Sequence, residues 1–282
     1  VYFLMMLLYS TLLDADRMHS AGISKERWYD LNSSKNIPIN AVQNYKKKEL
    51  SVNSNLDHLR EQAFQQAASN LDHAERGLLS LTLPTGGGLT LNVFNLALKL
   101  RTKSRLSRKP RIIYSLPFLS IIDQNYEVID KVLKHSDLEI KPNILLRHDY
   151  RSAGFVDEEN ENPNRALLLT EGWNSEIIIT TFVQLFETLL TNKASRARKF
   201  HRIANSIVLL DEIQAVPIRY WEAIRKGLNI LTTKMNSYVI LLTATNPLLF
   251  EPGEEITELI SNREEYFSSF DRITYRLHDE EY

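Results

Sequence analysis

The chain has no cysteine anywhere in its 282 residues. That absence excludes a disulfide framework, a thiolate metal site and a cysteine nucleophile, and it fits a reducing, cytoplasmic setting. No charge of one sign dominates, since 34 basic residues face 35 acidic ones for a formal net charge of −1. A basic coat for nucleic acid is thereby excluded, and any contact with a phosphate backbone has to come from local patches. There is also no apolar run of the roughly 20 residues that a bilayer requires. The opening run, residues 1–13, has only about half that length. It lacks a basic leader and runs into Asp14 and Asp16, so a buried helix is expected rather than a signal or an anchor. Repeats and low-complexity tracts are missing too. What remains is an ordinary globular composition, 43% hydrophobic and 24% charged, in a chain long enough to bury a sizeable core.

Residues 24–56 are polar and irregular, broken by Pro38 and ending near the basic run Lys46, Lys47 and Lys48. They read as a linker with a short helix. From 56 to about 75, Leu59, Ala63, Ala67 and Leu71 recur at helical spacing among charges, which predicts an amphipathic helix. Beyond it, short apolar runs alternate with helical stretches. The expected strands are 78–83, 111–115, 144–147, 176–180, 206–210 and 238–243. The expected helices are 90–103, 119–133, 182–190 and 218–234. Near-continuous apolar strands separated by helices predict an α/β fold, a parallel sheet covered on both faces. Ligands of such sheets bind at the carboxyl ends of the strands. The acid-rich tail from Glu251 onward is expected to leave the sheet.

The most informative segment follows the first strand. Pro84 and Thr85 lead into Gly86, Gly87 and Gly88, then Leu89 and Thr90 open a helix. Glycines let backbone N–H groups wrap an anion, and a helix N-terminus adds free amides and a positive dipole end. This is the layout of a phosphate loop. Thr90 stands where a hydroxyl would coordinate Mg²⁺. Leu89 stands where such a loop carries lysine, a departure that implies weakened ATP binding and slow hydrolysis. Triple glycine alone suits a plain flexible turn equally well; the strand before it and the helix after it favour phosphate.

A second apolar strand stops in Asp211 and Glu212, with Gln214 just beyond. Beside a phosphate loop, Asp211 would hold Mg²⁺, Glu212 would orient the attacking water and Gln214 would sense the γ-phosphate. Taken alone, the two carboxylates suit a helix N-cap as well. Thr243 and Thr245 follow a third strand. Their hydroxyls are placed to hydrogen-bond back to the acidic strand end, or to form an ordinary turn before Pro247. The histidines show no metal-ligand spacing. Trp173 is expected to be packed.

Together, residues 84–90, 211–214 and 243–245 resemble motifs I, II and III of superfamily 2 helicases. More specifically, residues 111–124, 171–187 and 195–214 resemble the helicase–nuclease of type I CRISPR–Cas systems, and the likeness runs over about residues 57–275. It implies a first RecA-like ATP-binding lobe over 57–275, after a linker over 24–56. Residues 9–17 resemble the last helix of that family's HD nuclease domain, which assigns 1–23 to a nuclease remnant. There Asp16 would match a metal ligand, whose partner residues this sequence does not contain. Residues 267–272 resemble the strand that leads toward the family's second lobe, and 276–282 the start of that connection.

The resemblance implies single-stranded DNA and a CRISPR surveillance complex as partners, with a second lobe or an HD nuclease encoded separately. It places Pro117, Gln124, Thr180, Thr181 and Gln184 on the nucleic-acid backbone, in contacts that carry no sequence specificity. Gln124 and Gln184 read equally as solvated helix faces. Basic clusters at 101–111 and 193–202 are further candidates for DNA, although charge runs are usually just solvated. Two functions follow: an ATP-dependent helicase lobe, weak or inactive alone, or a non-hydrolysing module that binds nucleic acid or a partner. A small metabolic P-loop enzyme is disfavoured, because it has no use for the segments at 111–124 and 243–245.

Overall fold

The computed structural model describes residues 1–50, 54–103, 108–136, 138–149, 168, 170–191, 193–244, 249–250 and 256–269. Seven strands form one sheet in the order β3-β4-β2-β5-β6-β1-β7. They are β1 (Leu78–Thr82), β2 (Arg111–Leu116), β3 (Leu145–His148), β4 (Ile177–Thr181), β5 (Ser206–Asp211), β6 (Tyr238–Thr243) and β7 (Ile256–Glu258). Every pairing is parallel, as the expected α/β architecture requires.

The strands alternate their side chains between two cores, as a period of two dictates. Leu79, Leu81, Ile112, Ile179, Leu209 and Leu242 face one side. There they meet α3 (Ala41–Glu49), α4 (Asn55–His73), α5 (Leu89–Lys103) and α6 (Leu119–Lys134). Leu78, Ile113, Ile178, Val208 and Leu241 face the other. That side is covered by α1 (Tyr2–Ser20), α7 (Phe182–Leu190) and α9 (Trp221–Lys234). Two shorter helices, α2 (Lys25–Asn32) and α8 (Ala194–Ala197), and a last one, α10 (Arg263–Ser269), complete the described elements. Trp173 lies wholly inside and donates its indole N–H to His148 Nδ1 at 2.9 Å. Burial holds that imidazole near a pKa of about 3, so it stays a neutral acceptor.

Several expectations need correction. The 24–56 segment holds two helices, α2 and α3, before α4 starts, and Ala41 and Val42 are completely buried. Its polar composition hid one apolar patch that packs on the sheet-covering helices. The acidic tail does not leave the sheet: β7 pairs with β1. The Glu258 carboxylate accepts from the Ser80 hydroxyl (3.0 Å), the Thr82 hydroxyl (2.6 Å) and the amides of Thr82 and Ile260. Residues 267–269 belong to helix α10, whose first turn carries Glu264 and Glu265 at the favourable end of the dipole; residues 270–272 lie outside the described set. Finally, the opening helix is buried along one face only. Met6, Ser10, Asp14 and Met18 point inward, whereas Leu4, Met5, Leu8 and Leu12 are exposed.

What pins α1 to the sheet is charge. Asp14 accepts from Arg198 Nε and Arg202 Nη2, both at 2.9 Å and all three buried. Breaking a buried pair strands its partner without compensation. Asp14→Ala is therefore expected to cost about 3–5 kcal/mol in urea denaturation, while Asp16→Ala, at an exposed position, should stay within about 0.5 kcal/mol. Equal effects would refute this pinning.

Candidate nucleotide-binding site

The strand register brings the distant motifs to one edge. Thr82 is level with Thr243, and Asp211 is level with Leu242, so the ends of β1, β5 and β6 open on the same side. From β1 the chain passes buried Leu83 and Pro84 into a loop with Thr85 and Gly86 exposed. Gly86 (φ 84°) and Gly88 (φ 77°) adopt the left-handed backbone that disfavours any side chain. Gly87 is constrained differently: a Cβ there would lie 2.9 Å from the Pro84 carbonyl, which also accepts the Gly87 N–H. The first ladder bond of α5 runs from the Asn92 amide to the Gly88 carbonyl at 3.1 Å. The amides of residues 89–91 therefore precede the ladder and have no carbonyl a turn back to donate to. Glycine backbone, free amides and a dipole end fit a polyphosphate. Leu89 packs partly buried against the core above α5 and adds no charge.

Thr90 donates its hydroxyl to Asn125 Oδ1 at 2.7 Å and lies near enough to the Tyr114 phenol to bear on its pKa. Tyr114, fully buried on β2, donates its phenol O–H to Asp211 Oδ2 at 2.9 Å. One tyrosine thus lies beside the helix that leaves the glycine loop while it is hydrogen-bonded to the acidic strand end. The phosphate loop and Asp211 therefore lie at the same edge of the sheet, with the Thr90 hydroxyl and the Asp211 carboxylate both near the phenol. That oxygen pair suits a hard cation such as Mg²⁺. Burial pushes the Tyr114 phenol well above its ordinary range, and the Asp211 charge adds to this. Burial also raises Asp211 to about 6; the Tyr114 hydrogen bond opposes the shift and the Glu212 charge adds to it.

Glu212 sits in the left-handed region (φ 55°), with its amide donating to the Leu242 carbonyl at 2.9 Å. Such strain in a residue with a side chain clusters at working sites. Gln214 Nε2 donates to the Glu212 carboxylate, and Thr243 donates its hydroxyl to Gln214 Oε1 at 3.3 Å. Thr243, Gln214 and Glu212 thus form one chain between β6 and the acidic turn. Thr245 lies outside the described residues.

The residues expected to touch nucleic acid divide into two sets. Pro117 is half-buried, Gln124 is exposed, and Thr181 is part-exposed while it caps α7 by accepting from the Gln184 amide at 3.2 Å. Thr180 and Gln184 do not fit the expectation. The Thr180 hydroxyl is buried and donates to the His148 carbonyl at 2.7 Å. Gln184, also buried, accepts from Arg196 at 2.5 Å and Lys199 at 3.1 Å. Both side chains are engaged inside the fold, because the start of α7 packs toward β4 instead of toward solvent.

Much of the two basic clusters is likewise turned inward. Arg101 binds Glu176 at 2.8 Å with both side chains buried, and Arg198 and Arg202 hold Asp14. Asp16 is exposed. Among the described residues no group of three or more His, Cys, Asp or Glu side chains is placed to hold a metal.

Tyr114 and Asn125 carry the geometry of the site, yet neither was singled out from sequence. Asn125 had a signal: it is the polar residue on the inward face that Ile122, Ile129, Val132 and Leu133 define on α6. Tyr114 had none, because a tyrosine inside an apolar strand reads as core.

Comparison with known proteins agrees with this fold. The family model for DEAD/DEAH box helicases matches residues 60–249. The CRISPR-associated nuclease/helicase Cas3 of Haloferax volcanii is 30% identical over 225 residues, which cover 74% of this chain and 24% of that protein. Crystal structures of T. fusca Cas3 share the fold. The ATP complex aligns with a TM-score of 0.59 at 16% identity, over 79% of this chain and 24% of that one. The AMPPNP complex aligns at 0.57 and 19%, over 77% and 24%. The chain therefore spans about a quarter of the length of these relatives.

The Asp211 shift yields a pH test. Between the ordinary value of 3.8 and about 6, the folded protein keeps a proton that the unfolded chain has released. Stability therefore falls as pH rises through that window. Asp211→Asn removes the effect. It should raise stability by about 1–2 kcal/mol at pH 7.5, after allowance for partial solvent contact, and by almost nothing at pH 4. Urea melts of both proteins at the two pH values check this, and a pH-independent difference would refute it.

Proposed function

The chain belongs to the DEAD/DEAH box helicase family, and from that premise we propose that it is the ATP-binding lobe of a CRISPR-associated DNA helicase. In this reading it moves along single-stranded DNA in concert with a surveillance complex and contributes one wall of a nucleotide cleft that a second lobe completes. One observation carries the proposal: the Tyr114 phenol donates to Asp211 and lies beside Thr90, which supports one ligand for the acidic strand end and the glycine loop.

The roles follow from position. Residues 85–90 cradle the phosphates through backbone amides and the α5 N-terminus. Thr90 and Asp211 are the residues to hold Mg²⁺, which would neutralise developing phosphate charge. Asp211 holds a proton below about pH 6, so it offers a full carboxylate only above that. Glu212 orients the attacking water, with its carboxylate fixed by Gln214. The hydrogen bond from Thr243 to Gln214 ties the state of the cleft to β6, and Thr245 is assigned to the same coupling. Pro117 and Thr181, at the ends of the neighbouring strands β2 and β4, and Gln124, on α6, face a nucleic-acid backbone. Among the described residues no helix is long and apolar enough to cross a membrane.

Leu89 supports a second reading, in which the lobe binds nucleotide or nucleic acid without turning ATP over. Loss of one preorganised stabiliser of transition-state charge typically costs roughly 10²–10³ in rate. ATP hydrolysis measured with and without single-stranded DNA separates the two. The helicase reading expects slow turnover that DNA stimulates, and Leu89→Lys should raise it by about 10²-fold. Nucleotide binding with no turnover in either protein, with or without DNA, would favour the second reading. Binding of neither ligand would refute both.

A further inference from the structure

The phosphate loop carries no cation of its own, yet a cation lies against it. Arg60, on the first turns of α4, donates from Nε to the Gly86 carbonyl at 2.8 Å. Its Cγ lies 3.9 Å from the point where a Cβ on Gly88 would stand, so the stem runs along the loop. The other end of the guanidinium is held as well. Nη1 donates to Asp57 Oδ1 at 2.8 Å. Asp57 is fixed in turn by a reciprocal capping box, accepting from the Ser54 amide and hydroxyl while its own amide donates to Ser54 Oγ. The side chain remains 38% exposed, and its Nη2 group has no partner among the described residues.

We propose that Arg60 is the phosphate-binding cation of this site, supplied by α4 in place of the lysine missing at Leu89, and that its ligand is the diphosphate or triphosphate of a nucleotide. The inference rests on the nucleotide reading of the glycine loop. A surface arginine normally has to order its long side chain before it can bind anything. Here the Gly86 and Asp57 contacts have already done so, at the tip of the loop where the backbone is left-handed. A planar guanidinium with a free edge matches the spacing of phosphate oxygens. The positive end of α5 lies beneath the same loop and adds to the attraction. Asp57 lowers the local charge but faces Nη1, which leaves Nη2 for the ligand.

The test is binding to the full chain, read with a fluorescent ATP analogue and its displacement by inorganic pyrophosphate or by adenosine. Arg60→Ala should weaken the analogue and pyrophosphate by about 10- to 100-fold, the value of a charge-assisted hydrogen bond, and leave displacement by adenosine unchanged. Arg60→Lys should recover only part of the loss, because a lysine cannot hold Gly86 and a phosphate together. Leu89→Lys added to Arg60→Ala should restore pyrophosphate affinity, since it returns a cation to the loop. Equal ATP-analogue binding by wild type and Arg60→Ala would overturn the inference and leave the nucleotide reading standing. So would a loss of adenosine and pyrophosphate in equal measure, or a failure of Leu89→Lys to rescue. If the wild-type chain bound no ATP analogue, the nucleotide reading itself would fall.

Discussion

A single buried phenol holds the working end of the molecule together. Tyr114 rises from the middle of the sheet, between the strand that ends in carboxylates and the helix that begins after the glycines; its hydroxyl donates to Asp211 and lies near Thr90. A buried hydroxyl without a partner is costly, so the bond to Asp211 holds the tyrosine in place. Its O–H points at Asp211, and Thr90, whose own hydroxyl goes to Asn125, lies close by. The result is a polar seam four side chains long, from α6 to β5, through an otherwise apolar interior. It places the start of α5 and the acidic end of β5 beside one another without any ligand.

The other end of the sheet is organised by the opposite principle. At the amino ends of β2, β4 and β5, buried arginines meet only a few carboxylates. Arg101 and Arg108 converge on Glu176, and Arg198 and Arg202 converge on Asp14. The Asn32 side chain joins through Arg202. These contacts bind α1 and α2 to the lobe with charge where apolar area is scarce, since α1 buries only one narrow stripe. Basic residues that look like a nucleic-acid patch in one dimension are here the mortar between two parts of the fold.

That contrast explains what was legible in the sequence. The parallel sheet was, because strands such as Ser206–Asp211 and Ile177–Thr181 carry unbroken apolar runs and are separated by amphipathic helices; α7 was bounded to the residue. The glycine loop and the acidic turn were recognisable for the same local reasons. Three kinds of fact were not. Direction was hidden: Thr180 and Gln184 lie in the right segment, but their side chains turn inward, and nothing in composition distinguishes the two faces there. Polar residues with a buried task were hidden, as with Asn125 and Tyr114. Elements held by side chain to backbone bonds were hidden too, as with β7, which is three residues long and depends on Glu258 for its place.

That short strand has a consequence for how the lobe behaves in company. Without it, β1 would present an open row of amides and carbonyls, a template on which a second copy could polymerise. β7 covers that row, and because it is brief and carries a carboxylate turned back on β1, it makes a poor template itself. The glutamate that fastens the last strand thus also helps keep that border of the sheet from pairing with another chain.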